Sequence, residues 1–167
     1  SYTALPYPKN MNFLDINVLD KFIEDINLAG SIFRKANKVL CYHNHALEFQ
    51  KINKEIILER IYNNTDNKYI QGEPDVYWIQ KGGHDPISWC KKLKNRLPLI
   101  HLKDFIMLNE HESYYAEIGN GNLDIKNIIK EAELSGCKWY IVEQDECQGD
   151  PFISIETSFN NLLKFVT

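Results

Sequence analysis

Apolar residues recur along this chain in two alternating rhythms. Leu19, Phe22, Ile23, Ile26, Phe33 and Ala36 keep the period of a helix, predicting one from about Val18 to Ala36 with Asn17 as its cap. The run Val39-Leu40-Cys41 then predicts a strand reaching His45. A shorter helical stretch follows from Glu55 to Tyr62 and stops at Asn63-Asn64-Thr65-Asp66-Asn67. Asp75-Val76-Tyr77-Trp78-Ile79, β-branched and aromatic, predicts the next strand, broken by Gly82-Gly83. Asp85 followed by Pro86 is a helix-start signal, and that helix carries Trp89, Cys90 and Leu93. Leu97 to Leu102 predicts a third strand, followed by a loop of ~15 residues whose length suggests a function. Gly119-Asn120-Gly121 turns the chain into a helix with Ile125, Ile128, Ile129 and Ala132 on one face, closed at Gly136. Trp139 to Val142 predicts a fourth strand, and a last helix capped by Ser154 carries Ile155, Phe159, Leu162, Leu163 and Val166. The first residues, Ser1 to Pro8, read as the end of a strand already under way.

Helices and strands that alternate at this spacing form a parallel sheet with helical crossovers. No linker or low-complexity stretch interrupts them, so residues 1–167 are expected to make one domain. Composition agrees with a globular core: 44% of residues are hydrophobic and 25% charged. A net charge of −4 with no cluster of Lys and Arg argues against nucleic acid or an anionic membrane as a partner recognised through bulk charge. No apolar run approaches the ~20 residues that span a bilayer. Cys41, Cys90, Cys137 and Cys147 are scattered without a C-x-x-C pair, with Cys41 and Cys137 in apolar surroundings. They read as thiols in a reducing, cytoplasmic setting.

The candidate chemistry collects at the strand ends. Tyr42-His43-Asn44-His45-Ala46-Leu47-Glu48-Phe49 closes the first full strand, with His43 and His45 on one face and Tyr42 and Asn44 on the other. Taken alone, this stretch also fits a strand end with ordinary surface histidines. The next strand carries Asp75, the third ends at His101 followed by Lys103-Asp104, and the fourth ends at Glu143 followed by Gln144-Asp145. A parallel sheet brings its C-terminal strand ends to one side, so these groups can converge. Leu99 shares a face with His101, and Ile141 with Glu143, so an apolar layer leads up to each polar tip. One imidazole with two or three carboxylates suits Mn²⁺, Zn²⁺, Co²⁺ or Mg²⁺ with positions left open for substrate.

These residues also carry a resemblance. The run from Tyr42 to Phe49, Asp75 to Trp78 with Gly82 to Pro86, Arg96 through His101 to Asp104, Ile118 to Gly121, and Val142 to Asp145 resemble the sugar phosphate isomerase/epimerase family. Those are the xylose-isomerase-like TIM barrels, and the likeness runs over nearly the whole chain. It implies a partial (β/α)8 barrel, about the last four to five βα units, beginning near the end of the fourth strand and lacking the N-terminal part. It implies a divalent metal held by Asp75, His101 and Glu143, with Glu48 as fourth ligand and His43 as the rival for that place. Glu143 would be the base that moves a proton next to a sugar carbonyl through an enediolate, with Glu48 the second acidic member of the catalytic set. His43, His45, Trp78 and Lys103 would line the pocket for a sugar or sugar phosphate. Lyase chemistry of the inosose dehydratase kind, or a barrel remnant without turnover, are the alternatives. Trp78 stands where enzymes resembling endonuclease IV carry a second His, which points away from a nuclease. Pro74 marks either the first residue of its strand or a local irregularity. A partial barrel would leave sheet edges and an apolar layer open, so a homo-oligomer or an N-terminal half-barrel partner is expected.

Overall fold

The computed structural model describes residues 1–166. Its first strand, β1 (Tyr2–Pro6), leads to a long helix, α1 (Ile16–Lys35). Asp15 caps that helix, its Oδ1 accepting from the Asn17 amide at 2.9 Å, so Asn17 is not the cap but the residue capped. Leu19, Phe22, Ile23 and Ile26 form the buried face, as their period requires. Gly30 lies where α1 crosses the sheet, and a Cβ there would come within 2.6 Å of the Tyr69 carbonyl oxygen. That close crossing needs a residue without a side chain.

Strand β2 (Val39–His43) pairs in parallel with β1, Tyr2 opposite Val39 and Pro6 opposite His43. A single turn of 3-10 helix (Leu47–Phe49) follows, then a tight hairpin, β3 (Lys51–Ile52) and β4 (Glu55–Ile56). Asn53 and Lys54 both have positive φ there, the backbone a two-residue hairpin demands. Helix α2 (Ile57–Asn63) therefore starts two residues later than periodicity alone suggests.

Strand β5 (Ile70–Gly72) lies parallel to β2 on the side away from β1. The predicted strand at 75–79 is instead helix α3 (Val76–Lys81). Val76, Tyr77 and Ile79 are buried on the inner face of that helix, and Asp75 caps it by accepting from the Trp78 amide at 3.0 Å. Burial of one face outweighs the β preference of these side chains, and six residues are too few to display a helical period. The sheet continues through Glu73 and Pro74: the Glu73 amide donates to Tyr42 O at 2.9 Å, and Pro74 O accepts from the His101 amide at 3.0 Å. Pro74 is thus an irregular strand end, missing a donor where only an acceptor is used.

Helix α4 (Pro86–Lys92) starts at the Asp85-Pro86 signal, and β6 (Leu99–Leu102) follows. The long loop contains an antiparallel hairpin, β7 (Asp104–Met107) and β8 (Ser113–Ala116). Helix α5 (Ile125–Leu134) and strand β9 (Trp139–Val142) come next, with β9 parallel to β6. The last helix, α6 (Pro151–Leu162), begins before the predicted cap: Asp150 accepts from the Phe152 amide at 2.8 Å. Ser154 sits inside it and donates to the Glu117 carboxylate at 2.8 Å.

Five parallel strands in the order β1, β2, β5, β6, β9 thus form one wall. The helices pack on its outer side over Leu40, Tyr42, Ile70, Ile100 and Leu102. This is the α/β architecture of part of a TIM barrel. Cys41 and Cys90 are buried, Cys137 only partly, and no helix among the described residues is long and apolar enough to cross a membrane.

Candidate functional site

Each strand of the wall after β1 delivers one polar residue to the same end. His43 closes β2, Asp75 follows β5, His101 lies in β6, and Glu143 comes directly after β9. One ligand atom from each falls within 4.8 Å of the others. His101 Nδ1 is 3.1 Å from Glu143 Oε2 and 3.8 Å from Asp75 Oδ2, while its Nε2 meets Glu73 Oε1 at 2.9 Å. Lys103 closes the group from the side and is itself buried. Its Nζ lies 2.9 Å from Glu143, 3.1 Å from Asp145 and 3.5 Å from Asp75.

Local structure aims these groups. Asp75 spends Oδ1 on capping α3, which leaves Oδ2 turned to the cluster. The Asn44 side chain accepts from the Asp75 amide at 3.2 Å, so the polar stretch after β2 also holds the neighbouring strand end in place. The His43 and His101 rings meet at a 59° tilt with centroids 4.3 Å apart, and His45 lies against Trp78 at 5.3 Å. The cavity they enclose is about 300 Å³ and includes His45, Trp78, Lys103 and Asp145 in its lining. A second, apolar hollow of about 550 Å³ shares His45 and Trp78 with it and is walled by Pro6, Tyr7 and Leu47.

The electrostatics suit a cation. Burial pushes His43 down to about 3, so its imidazole is neutral near pH 7 with a lone pair available. Burial raises Asp75 to about 6, opposed by Lys103. Burial also acts to raise Glu143, but the hydrogen bond and charge of Lys103 outweigh it and hold the carboxyl below its ordinary range. His43 Nδ1 is buried without a hydrogen-bond partner, and Asp75 Oδ2 has none beyond the Lys103 ammonium, 3.5 Å away. Buried polar atoms left this way are costly unless something satisfies them, and two imidazoles with two carboxylates are a fitting donor set for a divalent ion.

Of the residues singled out in the sequence, Asp75, His101, Glu143 and His43 come together, with His45, Trp78 and Lys103 around them. Glu48 lies outside the cluster. The turn after β2 sends it back under the strand, where its buried carboxylate accepts from Tyr42 Oη at 3.0 Å and from the His45 amide at 3.1 Å. Burial pushes it up to about 7. Glu73 was not singled out, and Asp145 was named after the fourth strand without a role. With the strand correctly placed through residue 75, Glu73 shares a face with Asp75, two residues on, which is the signal that finds it.

No family model matches the chain. A sugar phosphate isomerase/epimerase from Parabacteroides distasonis ATCC 8503 superposes with a TM-score of 0.82 at 30% identity, over 97% of this chain and 57% of that one. A xylose isomerase domain protein from Alicyclobacillus acidocaldarius subsp. acidocaldarius shares the fold, with a TM-score of 0.72 at 11% identity over 98% and 62%. Among curated sequences, the inosose dehydratase of Clostridium tetani (strain Massachusetts / E88) is 26% identical over 145 residues, covering 75% of this chain and 47% of that protein. The chain spans about half the length of the curated relatives it matches. The chain has the fold of part of a TIM barrel, shared with the xylose isomerase domain protein. It is similar to the sugar phosphate isomerase/epimerase from Parabacteroides distasonis and spans part of such a barrel.

Proposed function

We propose that the strand-end cluster binds one divalent cation through His43, Asp75, His101 and Glu143, and that the site isomerises or epimerises a sugar or sugar phosphate. The observation that carries this is the gathering of four ligand atoms within 4.8 Å, two of their residues bearing buried atoms without a hydrogen bond. His43 takes the fourth place in this reading because Glu48 is committed to Tyr42 and His45. The cation, when bound, supplies Lewis-acid stabilisation of negative charge on a substrate carbonyl oxygen. Glu143 is the most exposed carboxylate of the cluster and is kept ionised by Lys103, which suits a base that takes the proton from the carbon beside the carbonyl. The product of that step is an enediolate, and return of the proton to the other carbon or the other face completes the exchange. His45 and Trp78 wall the cavity and orient the sugar ring, and Lys103 keeps Glu143 turned inward. Glu48 acts on this site only through the His45 backbone.

Two measurements test it. The purified chain should retain Mn²⁺, Zn²⁺, Co²⁺ or Mg²⁺ after gel filtration, and with metal present it should exchange deuterium from solvent into candidate ketoses, read by NMR. Glu143→Gln should abolish the exchange. Metal without exchange on any ketose points to a non-catalytic barrel, and no metal at all sinks the reading. The likeness to inosose dehydratases favours a second reading, elimination of water from a keto-inositol on the same cluster. Assaying that dehydration against ketose epimerisation separates the two. The unpaired thiols fit a cytoplasmic setting, which belongs to the same proposal.

A further inference from the structure

His101 is held from both sides, and only one side belongs to the ligand cluster. On the other, Glu73 Oε1 stands 2.9 Å from Nε2. An imidazole carries its proton on either nitrogen, and the partner of one nitrogen decides what the other can do. Without an acceptor at Nε2, the proton is free to settle on Nδ1, drawn by the Glu143 carboxylate 3.1 Å away, and that nitrogen then has no lone pair for a metal. We propose that Glu73 is a positioning residue of the metal centre, whose hydrogen bond from the Nε2–H of His101 reserves Nδ1 for the cation.

The backbone makes the pair rigid. Glu73 precedes Pro74, whose carbonyl accepts from the His101 amide at 3.0 Å, and Asp75 bridges His101 in parallel, so carboxylate and imidazole stand on adjacent strand ends two residues apart in register. Glu73 and Asp75 share a face, so one strand end supplies both a ligand and the group that orients the neighbouring ligand. Packing gives no reason for a carboxylate here. Glu73 is buried at the border of the polar cavity, and on the side away from the ligand cluster Ala4, Leu99 and Ile141 flank it. Its Oε2 has no hydrogen-bond partner, so an apolar side chain would fill the place at lower cost. A carboxylate behind a metal-bound histidine fixes the ring and raises its basicity, and loss of such a partner typically weakens metal binding 10–100-fold.

The inference rests on the proposed function, because it needs the cluster to bind a cation. Its test titrates wild type, Glu73→Gln and Glu73→Leu with Co²⁺, followed by visible absorption, and with Zn²⁺ by calorimetry, alongside the melting temperature of each metal-free protein. Gln keeps the acceptor and loses the charge, whereas Leu loses both. The expected result is Co²⁺ binding weakened by roughly 10–100-fold in Glu73→Leu with an altered absorption spectrum, and Glu73→Gln in between. Should the Leu variant not fold, the Gln variant decides alone. Affinities and spectra equal to wild type overturn the inference and leave the proposed function standing, and so does a lowered melting temperature with unchanged affinity, the mark of a packing role. A wild-type protein that binds neither ion overturns both.

Discussion

Glu48 and Lys103 are the two buried charges on which this site imposes opposite demands. Glu48 is raised to about 7 by burial, against an ordinary value of 4.5. A carboxyl raised on folding keeps its stabilising contribution below pH 4.5 and loses it as the pH rises toward 7, because the unfolded chain ionises first. Glu48→Gln removes that dependence. Between pH 4.5 and 7 wild type should lose ~3 kcal/mol relative to Glu48→Gln, measured by denaturant unfolding at a series of pH values. A flat difference would mean that Glu48 ionises freely. Lys103 neutralises Glu143, Asp145 and Asp75. Lys103→Met should cost about 2 kcal/mol in the metal-free protein, less than a fully buried pair because Glu143 and Asp145 are 41% and 37% exposed. The same change should tighten Zn²⁺ binding at pH 8 by about tenfold, since a positive charge beside the cation site is gone. Isothermal titration checks the sign; weaker binding would show that Lys103 supports the ligands instead of competing for them. For the fourth ligand, His43→Ala should lose bound metal and Glu48→Ala retain it. That choice was not legible in the sequence, since it depends on the 3-10 turn at Leu47–Phe49, which turns Glu48 under β2. His101 and Glu143 could be picked out as candidates because each closes or follows an apolar strand, whereas Asp75 was found at the head of a predicted strand that is a helix. Glu73 was hidden behind the misplaced strand.

The elements that the sequence displayed well are those with a long period or a stop signal. Helices α1 and α5 are long enough to show an apolar face, and α4 begins at an Asp-Pro pair. Helix α6 begins at the same signal, Asp150-Pro151, but Ser154 drew the boundary inward. Helix α3 was hidden because its buried face is made of Val76, Tyr77 and Ile79, residues that read equally as a strand. The hairpin β7–β8 was hidden for another reason: what organises it is the buried side chain of its own first residue, which binds amides up to 19 residues further on. The Asp104 carboxylate accepts from the amides of Phe105, Gly119, Gly121 and Leu123, at 2.9 to 3.1 Å. It pins both ends of the excursion next to Lys103. A Cβ on Gly121 would sit on Asp104 Oδ1, so glycine is required by the approach. Asp104→Ala should cost about 3 kcal/mol, the loss of several charge-assisted bonds to buried amides, with Asp104→Asn intermediate. Hydrogen exchange at Gly119, Gly121 and Leu123 should quicken while the amides of α1 stay protected. Uniform quickening would mean that Asp104 supports the whole fold and not this segment.

At the scale of the molecule, the wall of five strands leaves two edges. Among the described residues β1 pairs only with β2, and β9 only with β6. The inner face between them carries Ala4, Leu99 and Ile141 beside Glu73, bordering a hollow of about 370 Å³. Trp139 at the start of β9 is 60% exposed, and α6 turns Phe152 and Phe159 outward, with Leu163 just past its end also exposed and Phe152 81% exposed. Unpaired strand edges beside apolar surface are templates for association. We propose that a second copy of the chain, or a half-barrel of complementary shape, covers this side. A second copy needs no other gene product, so it is the form tested first. The chain alone should sediment as a dimer or larger species at micromolar concentration. Trp139→Lys should shift it toward monomer, with little change in protomer stability because the residue is already exposed. The site itself argues in the same direction. The proposed ligands all come from β2, β6 and the residues following β5 and β9, inside the wall, so on that proposal metal retention should survive dissociation, whereas sugar binding across the open side should weaken with it. Measuring both on Trp139→Lys separates the two demands: metal lost together with the dimer would place a ligand on the partner, against the four that converge here.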